Sequence, residues 1–97
     1  SGGMMRIHVK YHNILRQRAG TDGETLRVPV GSSVRDVLRL AADTHGPLLE
    51  EMLFAASGAI SSHLVVFRDR TLLRIAEHDE PLADDVELLL FPAIAGG

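Results

Sequence analysis

The residues best suited to chemistry are the last seven, Phe91-Pro92-Ala93-Ile94-Ala95-Gly96-Gly97. An apolar run, Val86-Glu87-Leu88-Leu89-Leu90-Phe91, leads straight into them. Pro92 has no N–H to donate and is expected to end sheet pairing there. Ile94 is a lone large apolar residue on a segment too short to pack it. Gly96 and Gly97 have no side chains, so the backbone can pass through a narrow channel where any Cβ would clash. On this reading the reactive group is the carboxylate of Gly97, carried into another protein's active site. Terminal glycines alone are ordinary features of frayed ends. Their placement about half a dozen residues beyond an apolar strand, with one proline and one isoleucine between, is more specific.

Other constellations are weaker. His8 and His12 lie four apart, but on an expected strand and its end, so they form no helical pair. His45, His63 and His78 are scattered, whereas a zinc ion needs three or four convergent ligands; no metal site is expected. Ser61, Ser62 and His63 lack the strained Gly-x-Ser-x-Gly elbow of a hydrolase. Gly20-Thr21-Asp22-Gly23 lacks the Lys-Ser/Thr of a phosphate loop and reads as a turn. Glu77, Asp79, Glu80, Asp84, Asp85 and Glu87 form an acidic group before the tail. Such groups are usually solvated faces; the functional alternative is steering toward a basic partner surface.

The elements that must hold the tail follow from the remaining sequence. The chain has 97 residues, a net charge of −3 and a hydrophobic fraction of 45%. These values suit one domain with a modest core. Nine of its ten basic residues are Arg, Lys10 being the exception, and they are not clustered, so no nucleic-acid partner is expected. The absence of cysteine excludes disulfides and thiolate metal sites and fits a cytoplasmic location. No run approaches the ~20 apolar residues of a membrane span. Met5 to Lys10 alternates, unlike a signal peptide. Residues 1–4 read as an expression-tag remnant, 5–91 as the folded domain and 92–97 as an extended tail.

Ile7, Val9 and Tyr11 alternate with polar neighbours, as in a half-buried strand. Asn13 to Ala19 suggests one helical turn. Leu26, Val28 and Val30 give a second strand, antiparallel to the first, which Pro29 places at a sheet edge. Ser33 and Asp36 form a capping box ahead of Val34, Val37, Leu38 and Ala41, the stripe of the main helix. His45-Gly46-Pro47 stops it, with Gly46 as a left-handed cap. Leu48 to Ala56 is expected as a shorter helix. Leu64 to Phe67 reads as a central strand and core, with an apolar sheet face open for docking as the alternative. Arg68-Asp69-Arg70 is a turn and Leu72-Leu73 a brief return strand. A loop over 77–82 and a tight turn at Ala83-Asp84-Asp85 precede the last strand. The order is α+β.

This order and this tail resemble the ubiquitin-like β-grasp sulfur carriers of the MoaD and ThiS types. Pro81-Leu82-Ala83-Asp84-Asp85-Val86-Glu87-Leu88 is similar to that family's PL-x-D-G-D-E-V lead-in, with the usual glycine replaced. The Phe91-Pro92 pair and the chain length lean toward the small subunit of molybdopterin synthase. The resemblance implies a mixed four- to five-stranded sheet packed against one main helix. It implies a carrier or substrate, comparable to the non-catalytic small subunit of a synthase, rather than an enzyme. Gly97 would be adenylated by an E1-like partner using ATP and magnesium, then converted to a thiocarboxylate. Gly96 and Ala95 would provide clearance, and Phe91, Pro92 and Ile94 would pack in the partner's groove. A synthase large subunit would be the second partner. No tightly bound cofactor is implied.

The chemistry is consistent with a side-chain-poor site. A carboxylate is a poor acyl donor because its oxygen leaves badly; a mixed anhydride with phosphate removes that obstacle, and a thioacid then offers a reactive sulfur. Two alternatives stay open: a thiamine-type or other sulfur carrier, or a modifier conjugated to lysines. A plain β-grasp interaction module is a third reading.

Overall fold

Met5, Ile7, Val9 and Tyr11 all turn to one face of β1 (Met4–Tyr11) and are at most 3% exposed, because alternate residues of a strand share a face. They form the floor of the core in this computed structural model, which describes residues 2–93. β2 (Gly23–Pro29) runs antiparallel beside β1, pairing Ile7 with Leu26 and Met5 with Val28. Gly23 is required there: a Cβ would lie 2.9 Å from the Val9 carbonyl oxygen. β1 begins at Met4, and Gly3 accepts the Val30 N–H through its carbonyl, so backbone pairing extends to the residues just before Met5.

The remaining strands are β3 (Leu64–Arg68), β4 (Thr71–Leu72) and β5 (Glu87–Pro92). The sheet order is β2-β1-β5-β3-β4. β5 therefore lies in the middle, parallel to β1 and antiparallel to β3. Pro29 ends the edge strand β2, where a missing N–H costs no ladder bond.

α1 (Ile14–Ala19) links β1 to β2. α2 (Val34–His45) is the main helix, and Val34, Val37, Leu38, Ala41 and Ala42 are buried. Its capping box forms as expected: the Ser33 N–H donates to Asp36 Oδ2 at 2.9 Å, and the Asp36 N–H donates to Ser33 Oγ. α3 (Pro47–Leu53) follows after a single residue, with Pro47 in its first turn. One core joins β1, β2, β3 and β5 to the helices. The observed architecture is the α+β, ubiquitin-like β-grasp fold with a mixed five-stranded sheet.

Four local expectations need correction. Val30 does not extend β2; it is 63% exposed, because the chain turns after Pro29 through Gly31 at φ +97°. Gly46 has positive φ (+99°) but ψ −175°, which is not the left-handed helical well. That region is open almost only to glycine, and it lets the chain reverse between two helices. The second helix ends at Leu53, not Ala56, because Phe54 is extended, pairs with Ile60 and is 8% exposed. Burial of that ring, with the Arg39 guanidinium 4.7 Å from its centre, outweighs helix propensity. Pro92 does not end sheet pairing, as described next.

Candidate functional site: the strand that carries the tail

Leu88 and Leu90 of β5 are fully buried. The intervening Glu87, Leu89 and Phe91 face the opposite side of the sheet, away from the helices. β5 is thus anchored by its inner face and presents its outer face beside the outgoing chain. Pro92 still pairs with Leu64, and the Ala93 N–H donates to the His63 carbonyl at 2.6 Å. The proline is accommodated because its nitrogen points toward the β1 side, where pairing finishes with the His12 N–H on the Leu90 carbonyl at 3.1 Å. Ile94, Ala95, Gly96 and Gly97 lie outside the described residues.

Phe91 is half-buried between two rings. His12 stacks on it face to face, with centroids 4.1 Å apart and planes 5° apart. Phe67 meets it edge-on at 5.8 Å. Val65 lies directly opposite Phe91, Phe67 opposite Leu89, and Leu72 beyond Phe67. Together these side chains form an apolar stripe on the outer face, with Leu72 54% exposed. Leu64 and Val66 instead enter the core. The run 64–67 is therefore divided by face: half is core and half is the open apolar surface.

The lead-in to β5 is held at both ends. Pro81 bridges to Ser33, and Leu82 is buried, its N–H donating to the Ser32 carbonyl at 2.8 Å. Asp84 Oδ1 accepts the Arg6 N–H at 2.9 Å, and the Asp85 N–H donates to the Arg6 carbonyl at 2.8 Å. Asp85, at the position of the family's glycine, takes φ +72°. Its carboxylate lies 2.7 Å from His8 Nε2 and 3.7 Å from Arg6. The His8 hydrogen bond first, and the Arg6 charge second, hold the Asp85 carboxyl below the usual carboxylate range. Asp69, at φ +55°, closes the start of β5 through its N–H to the Glu87 carbonyl at 2.7 Å and its carboxylate to the Glu87 N–H at 3.1 Å.

Sequence reasoning missed His12, Asp69 and the conformation of Asp85. Only the last left a signal, an Asp where the pattern has Gly, since Asp tolerates positive φ better than most residues. The acidic group also reads differently in three dimensions. Glu77 pairs with Arg74, Asp79 with Arg35, Asp85 with Arg6 and His8, and Glu87 with Lys10. Much of its charge is answered locally, which weakens long-range steering. Ser61 and His63 do not form a catalytic pair: Ser61 Oγ accepts the His63 backbone N–H. They border an open groove of 730 Å³ with Arg39, whose guanidinium is engaged by Asp43 and Glu50. Among the described residues, no three or more His, Cys, Asp or Glu side chains converge as a metal site would need. No helix among them is long and apolar enough to cross a membrane.

Comparison with known proteins agrees with this geometry. SAMP1 from Haloferax volcanii is 28% identical, with a TM-score of 0.83 over 95% of this chain and 99% of that one. Small archaeal modifier protein 1 from Methanosarcina acetivorans is 27% identical, with a TM-score of 0.81 over 99% and 100% of the two chains. A putative molybdopterin converting factor, subunit 1, from Pyrococcus furiosus is 25% identical, with a TM-score of 0.72 over 93% and 99%. A search of curated proteins finds no match. The sequence model of the ThiS family matches residues 9–97, through both terminal glycines, and the chain belongs to that family.

Proposed function

We propose that this protein is a sulfur carrier whose reactive group is the Gly97 carboxylate. The observation that supports this most is the position of β5: the central strand, clamped by its inner leucines, leads directly to the Gly-Gly end. An E1-like enzyme supplies ATP and magnesium. The carboxylate oxygen attacks the α-phosphorus, pyrophosphate leaves, and an acyl adenylate forms. A hydrosulfide then attacks the acyl carbon and AMP leaves, producing the thiocarboxylate. The chain contributes no catalytic side chain; Gly96 and Ala95 give clearance, while Phe91, Pro92, Ile94 and the apolar outer face dock on the partner. The favoured destination of the sulfur is the molybdopterin precursor, held by a synthase large subunit, in keeping with the name of the Pyrococcus furiosus neighbour. A thiamine-type acceptor is the alternative within the same chemistry.

The test is incubation with an activating enzyme, ATP, magnesium and a sulfur source, followed by intact mass measurement. One sulfur-for-oxygen exchange is expected, and none in a chain lacking Gly97. A second reading, a modifier joined to lysines, is favoured by the two small archaeal modifier proteins among the structural neighbours. It shares the adenylate but ends in an isopeptide bond. Recovery of lysine adducts carrying Gly97 separates the two.

A further inference from the structure

We propose that His12 is a positioning residue for the tail: its ring, laid flat on Phe91, fixes the direction in which β5 releases the chain. The inference rests on the reading that the tail is the reactive end. His12 lies beyond the last residue of β1, yet its backbone is held from both sides. Its N–H donates to the Leu90 carbonyl at 3.1 Å, and its carbonyl accepts the Leu15 N–H at 3.2 Å. The next residue, Asn13, has φ 58° and ψ −133°, a conformation costly for any residue with a Cβ. The chain thus turns sharply at a strained position immediately after placing the ring.

The ring's contacts are with an aromatic face rather than with polar groups. Nε2 of His12 is buried with no hydrogen-bond partner among the described residues. A buried, unsatisfied ring nitrogen is unfavourable, so hydrogen bonding does not explain the placement. The parallel stack on Phe91 does. With Phe67 against the same ring edge-on, Phe91 is clamped at the last rungs of β5, one residue before Pro92 and two before the Ala93–His63 hydrogen bond. A tail whose root is held costs less orientational entropy when it enters an active site, and that saving appears in the chemical step.

The experiment compares the full chain with His12→Ala and His12→Phe; the latter keeps a flat ring and removes the unsatisfied nitrogen. Amide hydrogen exchange is followed at Ala93 and, as a control, at Val37 and Leu38. In H12A the Ala93 amide is expected to exchange about tenfold faster at unchanged α2 protection, with H12F restoring it. Adenylation by an E1-like enzyme that charges the wild-type chain should show a kcat about fivefold lower in H12A, a KM changed less, and recovery in H12F. Unchanged Ala93 exchange in H12A, or no recovery in H12F, overturns the role of His12. Should no such enzyme charge the wild-type chain, the carrier reading fails by itself, and the exchange data still decide the role of His12.

Discussion

Asp85 holds a left-handed backbone conformation, φ +72°, while its carboxylate lies 2.7 Å from Nε2 of His8 on the neighbouring strand. The turn into β5 thus exchanges glycine's conformational freedom for a side-chain anchor. Asp85→Gly removes the anchor but relieves the backbone; Asp85→Ala removes the anchor and keeps the strain. Urea unfolding should therefore rank D85A below D85G in midpoint. The reverse order would mean that backbone strain is unimportant at this turn.

Acid sensitivity follows from the same contact. The folded pKa of Asp85 lies below its ordinary value of 3.8, as do those of Glu77, held by Arg74, and Asp79, held by Arg35, relative to theirs. Below about pH 4 the unfolded chain binds more protons, so stability falls as pH drops toward the native values. Asp85→Asn should flatten this acid limb. An unchanged slope would show that the His8 contact does not favour the charged carboxylate.

His78 shifts stability in a different window. It is 4% exposed, and desolvation first, then the Arg35 charge, lowers its pKa from 6.5. The native state thus favours the neutral ring, and stability falls as pH drops below about 6.5, where the unfolded state takes up the proton first. His78→Gln should remove that dependence above about pH 5, read as thermal midpoint against pH. Persistence of the same slope would assign it to another group.

How much of this arrangement could be read from the sequence depended on the range of the interactions involved. Period-two alternation marked β1, and the Ser33–Asp36 pair with its apolar stripe marked α2, because both patterns are local. Phe54 left its expected helix because its partner Ile60 and the Arg39 guanidinium are tertiary neighbours. A local rule makes Pro92 a terminator, yet it pairs with Leu64; whether its missing N–H matters depends on where β1 stops. Residue type alone pointed to a side-chain-free end that could enter a narrow channel; the adenylation and sulfur chemistry came from the family resemblance. The apolar stripe beside it, which joins Leu72, Phe67, Val65 and Phe91 from three strands, emerged only from the sheet order.

Tyr11 tests the polar clasp under the sheet. Its hydroxyl donates to Glu24 Oε2 at 2.6 Å, and the same oxygen lies 2.6 Å from His45 Nε2 at the end of α2. Tyr11→Phe should cost about 1 kcal/mol in urea unfolding. Burial first, then the Glu24 hydrogen bond, raises the phenol pKa well above its usual 10.0. Wild-type stability should accordingly fall as pH rises past about 10, and that decline should be absent in Y11F. Equal alkaline behaviour in the two chains would show that the phenol is not the responsible group.

Leu72 separates docking from folding. It is 54% exposed on β4, so Leu72→Glu should change stability by no more than about 0.5 kcal/mol. In the proposed role it should nevertheless raise the KM of adenylation, since it places a charge in the apolar stripe. Unchanged KM would move the docking surface elsewhere.

The most direct measurement is the mass of the C-terminal peptide after reaction with the activating enzyme, ATP, magnesium and sulfide. Replacement of one oxygen by sulfur on Gly97, lost when Gly97 is deleted and blocked when residues are appended after it, is the predicted result. An unmodified Gly97 with sulfur found elsewhere, or a truncated chain that still gains it, would contradict the account.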